Sequence, residues 1–426
     1  MPSRSAGPGD ASWRISRRTL LSAAAAGAVG ALVGPGRAQA NPSWYPQAFA
    51  AMVAADPDIS AYLTPGQEFW CRPRQLLVAP ADLSRVTARL VSLGYAVTSG
   101  TPFAGVERVQ FAANVNIKAI VADLRNPANW APALPPAVQP HHVAFGYPNV
   151  MGSPGSPPAV VPSQRPSASG NAGANQLVGI CDTGIWGAAQ AAHPDWFDDS
   201  YDATPADLDP LYASGTTLAL QGGHGTFIAG VLRRTAPAVR FDPTVALSPD
   251  GVGDEESVCA ALDALDPAVS FINLSLGCHT QGDLPSMPLT NALAARPAVV
   301  VAAAGNASTT RPTWPAALPA VVGVAALQPS RSGLVPADYS NFGPWVDLCA
   351  LGDWTGPYVS GVLDPPEDPA LSFVGWARWQ GTSFAVPYAI GRMAEMVTTT
   401  GVNPGTAAAL LKAGPQVFPG FGALVP

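Results

Sequence analysis

The second half of the chain alternates short, uninterrupted apolar runs with segments of helical periodicity. The runs are LVGIC, FINLSL, AVVVAAA, AVVGVAAL and VDLCAL. Strands buried on both faces of a parallel sheet carry such continuous runs, whereas strands with one solvent face alternate apolar and polar residues. Helical patterns occupy residues 224–234, 254–265 and 383–398. Residues 176–426 are therefore predicted to form a three-layer α/β domain around a mainly parallel sheet.

A smaller domain is predicted before the larger one. RQLLVAP, YAVTS, GVERVQFAA and VAFGY are predicted strands, and residues 81–94 and 114–126 have the spacing of helices. The order strand-helix-strand-strand-helix-strand is typical of an α+β, ferredoxin-like unit. We place this unit within residues 41–150, with the structure of its first thirty or so residues left open. The stretch 151–175 is rich in Pro, Gly and Ser and is predicted to be a linker.

The first 40 residues have the features of an export signal rather than of a folded segment. The apolar run LLSAAAAGAVGALVG follows Arg17 and Arg18 and precedes Ala38-Gln39-Ala40, a small-x-small cleavage pattern. The paired arginines favour a twin-arginine signal, which is read by a translocase for folded proteins; a plain secretory signal is the alternative. We therefore expect a secreted or cell-envelope protein. No later segment is apolar and long enough to predict membrane insertion of the mature chain.

The composition narrows the classes of function. With 48% hydrophobic and 12% charged residues, the chain can bury a large core. Its formal net charge of −7 and its lack of a basic stripe argue against nucleic-acid binding. The five cysteines are an odd number. Cys259 and Cys278 flank one helix-to-strand unit and could pair in an oxidising compartment. No Cys/His spacing suggests zinc.

Four polar residues fall where strands end or helices begin. Asp182 follows LVGIC, Asn306 follows AVVVAAAG, and His224 and Ser383 begin HGTFIAG and SFAVPYAIG. Each of them alone is more commonly a turn residue, a helix cap or, for His224, a satisfied semi-buried histidine. At the carboxyl edge of one sheet such residues meet, where they could supply a nucleophile, a base, an orienting carboxylate and an oxyanion donor. The glycines beside His224 are expected to let the helix start pack closely.

The motifs DTGI, GGHGTFIAGV, INLSLG, VAAAGN, YSNFG and GTSFAVPYAIG occur in this order. As an ordered set they resemble the motifs of the subtilisin-like serine proteases, the subtilase or S8 peptidase family, over roughly residues 176–400. The resemblance implies an exported serine endopeptidase that cleaves protein or peptide substrates. It implies that Asp182 orients His224, that His224 is the general base and that Ser383 is the nucleophile. The Asn306 side chain and the Ser383 backbone N–H would form the oxyanion hole.

The same resemblance implies a set of substrate-binding residues. Ser275, Leu276 and Gly277 would pair with the backbone of an extended substrate. Ala304 and Gly305 would line the wall of the primary specificity pocket, although tight core packing explains small residues there equally well.

Four positions depart from the family's usual pattern. Phe384, Val386 and Tyr388 stand where Met, Thr and His are common, on the helix behind the nucleophile. These three changes are expected to alter packing more than chemistry. Cys278 stands where a second Gly often follows SLG, which leaves the shape of the substrate cleft open.

By position, residues 41–150 resemble the family's pro-domain, which assists folding and covers the active site. An accessory domain retained in the mature enzyme is the alternative. The resemblance implies no required cofactor, and no acidic cluster supports the structural calcium that many relatives bind. Two other functions stay open for the larger domain: a catalytically silent binding scaffold, and an acid-active peptidase with Glu as its base. His224 argues against the second.

Overall fold

The computed structural model describes residues 44–146, 157–161, 169–213, 215–294, 296–331, 333–365 and 368–426. The predicted export signal and most of the predicted linker lie outside these residues. Among the helices of the described residues, none combines the length and the apolarity that crossing a membrane requires.

The N-terminal region contains the predicted strands and helices in the predicted order. Its elements are α1 (Trp44–Ala55), β1 (Ser60–Tyr62), β2 (Phe69–Val78), α2 (Leu83–Ser92), β3 (Val97–Ser99), β4 (Glu107–Phe111), α3 (Ile117–Arg125) and β5 (Val138–Phe145). The strand order β3-β4-β2-β5 is antiparallel throughout. Apolar residues of α2 and α3, among them Val86, Leu90 and Ile120, pack with this sheet in one buried cluster.

The larger domain follows. Its elements are β6 (Ala159–Val160), β7 (Leu177–Asp182), α4 (Ala189–Ala192), α5 (Pro194–Phe197), α6 (His224–Thr235), β8 (Arg240–Val245), β9 (Val252–Asp254), α7 (Glu255–Ala264), β10 (Phe271–Leu274), α8 (Met287–Ala294), β11 (Val299–Ala303), β12 (Val321–Ser330), β13 (Gly333–Pro336), β14 (Leu348–Leu351), β15 (Asp353–Leu363), β16 (Leu371–Gln380), α9 (Thr382–Thr400), α10 (Pro404–Lys412), β17 (Val417–Phe418) and β18 (Gly422–Leu424).

The central sheet has the order β17-β18-β14-β12-β11-β10-β7-β8, with β13 paired to β12. All pairs from β18 to β8 are parallel, and β13 and β17 are antiparallel to their neighbours. Each apolar run predicted to be a doubly buried strand is one of these strands, so the predicted α/β class is confirmed.

Successive residues of the central strands face opposite layers of the domain. On β11, Val301 and Ala303 join the buried cluster that contains α6 and α9. Val300 and Ala302 join the cluster that contains α7 and α8. Full burial of an aliphatic or aromatic side chain contributes about 1.5–3 kcal/mol of transfer free energy, so both faces of the sheet require cover, and three layers result.

The two regions share a sheet edge. Strand β9 of the larger domain pairs antiparallel with β5 through Val143–Asp254, Ala144–Gly253 and Phe145–Val252, which extends the N-terminal sheet to the order β3-β4-β2-β5-β9. This shared edge brings the C-terminal end of β5 to the carboxyl edge of the central sheet.

Helix α1 and the hairpin β15–β16 are among the elements that have no counterpart in the predictions. Helix α1 packs on two sides: Tyr45 contacts the larger domain, and Phe49 contacts the end of β5. Its apolar residues therefore do not form a single amphipathic stripe. The hairpin β15–β16 is interrupted by Gly, Pro and Asp, yet it pairs antiparallel from Asp353–Gln380 to Leu363–Leu371, with one irregularity.

The disulfide considered between Cys259 and Cys278 is not formed. All five cysteines are free and buried. Both residues lie in the apolar cluster beside α7. Burial raises the pKa of the Cys278 thiol, which disfavours the thiolate needed for disulfide exchange.

Candidate active site

Asp182 and His224 form a buried pair at the carboxyl edge of the central sheet. Asp182 is the last residue of β7, and His224 is the first residue of α6. His224 Nδ1 lies 2.7 Å from Asp182 Oδ1, and the Thr183 N–H donates to the same oxygen at 2.8 Å. Asp182 is 0% exposed and His224 is 2% exposed. The carboxylate therefore holds the Nδ1 edge of the imidazole and leaves Nε2 as the nitrogen that can act as a base.

Glycines make this close approach sterically feasible. Gly223 precedes the helix with φ at 84°, a left-handed conformation that favours glycine. A Cβ on Gly225 would lie 2.2 Å from the carbonyl oxygen of Gly184, the residue two places after Asp182. The helix start therefore packs directly on the DTG loop, as the glycines around His224 predicted.

Ser383 lies in the first turn of α9, with its neighbours in contact with the imidazole. The ring of Phe384 is 5.3 Å from the ring of His224, and the ring of Trp379, at the end of β16, is 5.1 Å away in an edge-to-face arrangement. Ser275 Oγ donates to the carbonyl oxygen of Ser383 at 2.8 Å. The start of α9 is thus fixed beside His224 by aromatic packing and by Ser275, in the segment that follows β10.

Asn306 is bonded to the turn that carries the serine. Its Oδ1 accepts from the Thr382 N–H at 3.0 Å and from Thr382 Oγ1 at 2.8 Å. The Gly305 N–H in turn donates to Thr382 Oγ1 at 3.1 Å. Because both bonds use Oδ1, the amide of Asn306 is oriented with its Nδ2 donor directed away from Thr382. Hydrogen bonds through Thr382 therefore connect the turn after β11, which contains Asn306, to the GTS turn that carries Ser383.

The segment from Ser275 to Gly277 borders an extended strand from the N-terminal region. Phe145 and Gly277 exchange two backbone hydrogen bonds, and the Gly146 N–H donates to Gly251 O at 2.9 Å. Residues 143–146 thus run between the β9 edge and Gly277, with backbone bonds to both. Leu276 is fully buried in the core beside them.

Ala304 and Gly305 are where the turn after β11 leaves the sheet. Ala304 is fully buried with Ala325 and Leu327 in a small apolar cluster, which agrees with the core-packing explanation of this alanine. Gly305 has φ at 102°, so a side chain there would strain the backbone. These contacts establish how Ala304 and Gly305 pack. The role of the two residues in a specificity pocket stays a prediction.

Helix α1 contacts the loop that leads to His224. The Tyr45 hydroxyl donates to Leu220 O at 3.0 Å and is bonded to the Gln221 side chain. The ring of Phe49 meets the ring of Phe145 edge to face at 5.6 Å. Helix α1 therefore covers the segment 143–146 from outside and touches the chain three residues before the imidazole. The sequence carried no motif that would have indicated this contact.

A buried carboxylate joins the two regions. Glu255, the first residue of α7, is 0% exposed and accepts from Gln139 Nε2 at 2.7 Å, the His142 N–H at 2.8 Å and Ser286 Oγ at 2.5 Å. Burial acts to raise the pKa of Glu255, but His142, together with His141 and Ser286, outweighs the effect of burial, so that pKa lies below its usual value. Two of these three donors come from the N-terminal region, so that region supplies hydrogen bonds to a buried charge of the larger domain.

An ion-pair network continues from Glu255. Arg72 pairs with Asp254 at 2.8 Å, and Arg108 pairs with Glu256. Ligand atoms of His141, Asp254 and Glu256 lie within 4.8 Å of one another. Both carboxylates already face guanidinium groups, so we assign no metal to these atoms.

A parallel α/β domain that brings an Asp–His pair to one helix start and a serine to another has the architecture of a serine peptidase. The profile of the Subtilase family, peptidase S8, matches residues 173–411. The chain belongs to this family, and the resemblance inferred from its motifs is confirmed.

Named relatives and a solved structure agree with this assignment. The chain is 30% identical over 246 residues to the thermophilic serine proteinase of Bacillus sp. (strain AK1), covering 54% of this chain and 53% of the relative. It is 28% identical over 239 residues to thermitase of Thermoactinomyces vulgaris, covering 51% and 74%. It is 28% identical over 298 residues to an extracellular protease of Xanthomonas campestris, covering 60% and 50%.

The crystal structure of fervidolysin from Fervidobacterium pennivorans superposes with a TM-score of 0.57 at 20% identity, over 88% of this chain and 64% of that one. At this identity the likeness supports the fold. The chain spans about half the length of the Bacillus and Xanthomonas relatives.

Proposed function

We propose that this protein is an exported serine endopeptidase that hydrolyses peptide bonds through an acyl-enzyme on Ser383. The observation that carries the proposal is the buried 2.7 Å pair between His224 Nδ1 and Asp182 Oδ1, with the residue after Ser383 packed against the imidazole. Family membership over residues 173–411 supports the same reaction.

In the proposed mechanism His224 Nε2 takes the proton of the Ser383 hydroxyl while Oγ bonds to the substrate carbonyl carbon. The imidazolium that forms is stabilised by Asp182, which stays ionised. The same proton then passes to the leaving amine as the C–N bond breaks, leaving an ester on Oγ. Water attacks that ester in a second round, with His224 again as base, and the acid product leaves with Ser383 restored.

The tetrahedral intermediates carry a negative oxygen, for which we propose two donors. One is Nδ2 of Asn306, whose amide is oriented by the bonds of Oδ1 to Thr382. The other is the backbone N–H of Ser383, at the positive end of the 19-residue helix α9. Donors fixed in advance lower the barrier because they need no rearrangement when charge develops.

We propose that an extended peptide substrate binds along β9 and Gly277. Residues 143–146 occupy this position with backbone hydrogen bonds on both sides, which is how an added strand is recognised on a sheet edge. Two residues of that segment are small. Ala144 is fully buried, and a Cβ on Gly146 would lie 2.9 Å from Leu247 Cδ1.

The N-terminal region, residues 41–150, is proposed to be the enzyme's own pro-domain, with 151–175 as the linker and 176–426 as the peptidase domain. Its strand fills the substrate position, and α1 holds that strand in place. A cover of this kind suits a chain exported after folding by the twin-arginine translocase, because the peptidase would otherwise be active before export. We propose a secreted or cell-envelope location, and no required cofactor.

Reaction with a biotinylated fluorophosphonate, followed by peptide mapping, tests the proposed activity. We expect the label on Ser383 and no label in Ser383→Ala. Absence of labelling in the wild-type chain, under conditions in which its N-terminal region has been removed or displaced, would identify a silent scaffold instead. N-terminal sequencing of exported wild-type and Ser383→Ala chains tests maturation, since self-cleavage predicts a shorter product only for the wild type.

A further inference from the structure

A second buried carboxylate lies next to the Asp182–His224 pair. Asp209 is 5% exposed and lies in the loop before α6. It accepts three hydrogen bonds: from Thr183 Oγ1 at 2.6 Å and the Gly223 N–H at 2.8 Å on Oδ2, and from the Leu211 N–H at 2.8 Å on Oδ1. The proposed mechanism gives this residue no part, and no sequence motif singled it out.

The partners of Asp209 are the immediate neighbours of the pair. Thr183 follows Asp182 in the chain, and its N–H donates to Asp182 Oδ1. Gly223 precedes His224. Thr183 Oγ1 also accepts from the Gly225 N–H at 3.1 Å. One carboxylate therefore ties the loop after β7 to the turn before α6, within one residue of each member of the pair.

The backbone around Asp209 is itself fixed to the DTG loop. The Asp209 N–H donates to Ile185 O at 2.9 Å, and the Ile185 N–H donates to Asp207 O at 2.9 Å. A Cβ on Gly184 would lie 2.5 Å from Asp207 O. Leu211 has φ at 64°, a conformation costly for a non-glycine residue, and its N–H bonds to Asp209. The carboxylate is thus held in place rather than left free to follow its partners.

Three donors converge on this side chain, and an ionised carboxylate, with no hydrogen on either oxygen, accepts from all of them. In asparagine, an NH₂ at the Oδ2 position would face the Gly223 N–H, and one at the Oδ1 position would face the Leu211 N–H. Either orientation leaves a buried backbone donor without an acceptor, which is costly. Protonation of Asp209 on Oδ2, which already accepts two bonds, requires the bond to Thr183 to reverse.

We propose that Asp209 is a positioning residue for the Asp182–His224 pair, acting through Thr183 and Gly223 to keep Nδ1 of the imidazole on Oδ1 of Asp182. This inference rests on the proposed function, in which that pair is the base and its orienter. Displacements of about 1 Å in a catalytic pair can lower rates on the order of 10²-fold, so a device that fixes both loops to one carboxylate affects turnover more than substrate binding.

The electrostatic surroundings give the proposal a pH signature. Burial raises the pKa of Asp209 to about 6, and the nearby Asp182 adds to the rise, while the three hydrogen bonds oppose it. Among the described residues, the Tyr358 hydroxyl also faces Asp209; it donates to Gly222 O at 2.6 Å and has a raised pKa. Below about pH 6 Asp209 takes up a proton, and a proton on Oδ2 reverses the bond to Thr183 as the pair begins to lose its fixed geometry.

The test compares wild type with Asp209→Asn, expressed as the full chain and assayed in whatever processed form is recovered. We expect kcat to fall about 10- to 100-fold with KM changed less than about 2-fold. We also expect the acid limb of log kcat against pH to be steeper than one proton in the wild type and to follow one proton in the variant. Proton NMR of the full chain reports the His224 Nδ1–H directly, and its downfield signal should weaken or shift.

Thr183→Val and Thr183→Ser provide a second, independent pair of variants. Valine removes the hydroxyl at nearly constant shape and should reproduce the Asp209→Asn phenotype, whereas serine should lose less of kcat. The double variant Asp209→Asn, Thr183→Val should be clearly non-additive. Asp347→Asn is the matched control, because it removes a carboxylate that bonds a backbone N–H and Lys412 far along the chain from the pair.

Unchanged kcat and an unchanged Nδ1–H signal in Asp209→Asn would overturn the proposal, as would a fall in thermal midpoint without either effect. If Asp209→Asn does not fold, the Thr183 pair decides by the same criteria. The NMR signal is independent of turnover. A wild-type chain that never labels at Ser383 would therefore contradict the proposed activity without deciding the role of Asp209.

Discussion

Phe145 and Gly277 exchange two backbone hydrogen bonds, with the Phe145 N–H donating at 2.9 Å and the Gly277 N–H donating at 3.0 Å. This pair places the end of the N-terminal region on the strand edge proposed to bind substrate. The edge can hold one extended chain at a time, so the segment 143–146 and a peptide substrate compete for the same backbone groups.

Weakening this segment should therefore release the site. In Gly146→Val the Cβ would approach Leu247 Cδ1 to 2.9 Å, and overpacking of this kind costs about 1–3 kcal/mol. We expect fluorophosphonate labelling of Ser383 in the full chain to be roughly 10-fold faster, since each 1.4 kcal/mol is a factor of ten.

The matched control is Leu134→Ser, at a position 82% exposed in the N-terminal region. Its labelling rate should equal that of wild type. Equal rates for Gly146→Val and wild type would contradict occupation of the site by residues 143–146.

The orienting role of Asp182 can be tested with an isosteric change. Asp182→Asn keeps the shape of the side chain but can donate to His224 Nδ1, which favours the wrong imidazole tautomer. A substitution of this kind lowers kcat on the order of 10⁴-fold in serine peptidases with this triad. Steady-state kinetics on a chromogenic peptide measures the loss.

Asp195→Asn is the control for Asp182→Asn, because Asp195 lies exposed in the short helix α5 and should leave kcat unchanged. A loss of less than about tenfold in Asp182→Asn would argue that the pair does not act as base and orienter.

The proposed oxyanion donors make separable predictions for Asn306 and Thr382. Asn306→Ala should lower kcat with little change in KM. The expected loss of transition-state stabilisation is about 2.7–4 kcal/mol, a magnitude established for a subtilisin. Thr382→Val removes the hydroxyl that donates to Asn306 Oδ1. It should lower kcat by raising the activation free energy about 1 kcal/mol, the net value of a neutral hydrogen bond.

Thr382→Ser retains the hydroxyl and serves as the control for Thr382→Val. If Thr382→Val and Asn306→Ala were strictly additive in kcat, Thr382 would not act by orienting the asparagine, and this prediction would be wrong.

The buried Glu255 should give the docked N-terminal region an acid-sensitive stability. Burial acts to raise the pKa of Glu255, but His142, with His141 and Ser286, keeps that pKa below its ordinary value of 4.5. The folded state therefore favours the ionised form. The resulting stabilisation is present above about pH 4.5 and is lost as pH falls through the lower pKa of the folded chain.

Glu255→Gln places an amide NH₂ among these donors and should destabilise the full chain by about 3 kcal/mol at pH 7, as removal of one buried partner does. The difference from wild type should shrink below pH 4.5. Urea unfolding of both chains between pH 3.5 and 7 measures this difference in stability.

The control is Glu395→Gln, which removes a half-exposed surface ion pair with Arg392 and should cost less than about 1 kcal/mol of stability. A pH-independent difference for Glu255→Gln would contradict the assignment.

Much of the larger domain could be predicted because its signals are local. A run such as AVVVAAA is apolar at every position, and only a strand covered on both faces satisfies that pattern. The same holds for the positions of Asp182, His224, Asn306 and Ser383, since each follows a strand or begins a helix whose limits are visible in the chain.

Other features depend on partners distant in the chain and left no local pattern. Helix α1 buries Tyr45 against Leu220 and Gln221, some 175 residues away, and its apolar surface has no single face. Asp209 lies among Asp, Leu and Pro in an irregular loop, where an acidic residue is ordinarily solvent-exposed. Its three donors come from Thr183, Leu211 and Gly223, and nothing in the order of residues indicates that they meet.

By itself, the sequence determined the α/β class, the family and the four polar positions at the sheet edge, because residue spacing and apolar periodicity are properties of the chain alone. Tertiary structure decided that residues 143–146 lie between β9 and Gly277, that Glu255 is hydrogen-bonded by the N-terminal region, and that Asp209 joins the loops around the Asp182–His224 pair. These relationships are set by which buried donors and acceptors come together when separate layers pack, and that pairing is resolved only in three dimensions.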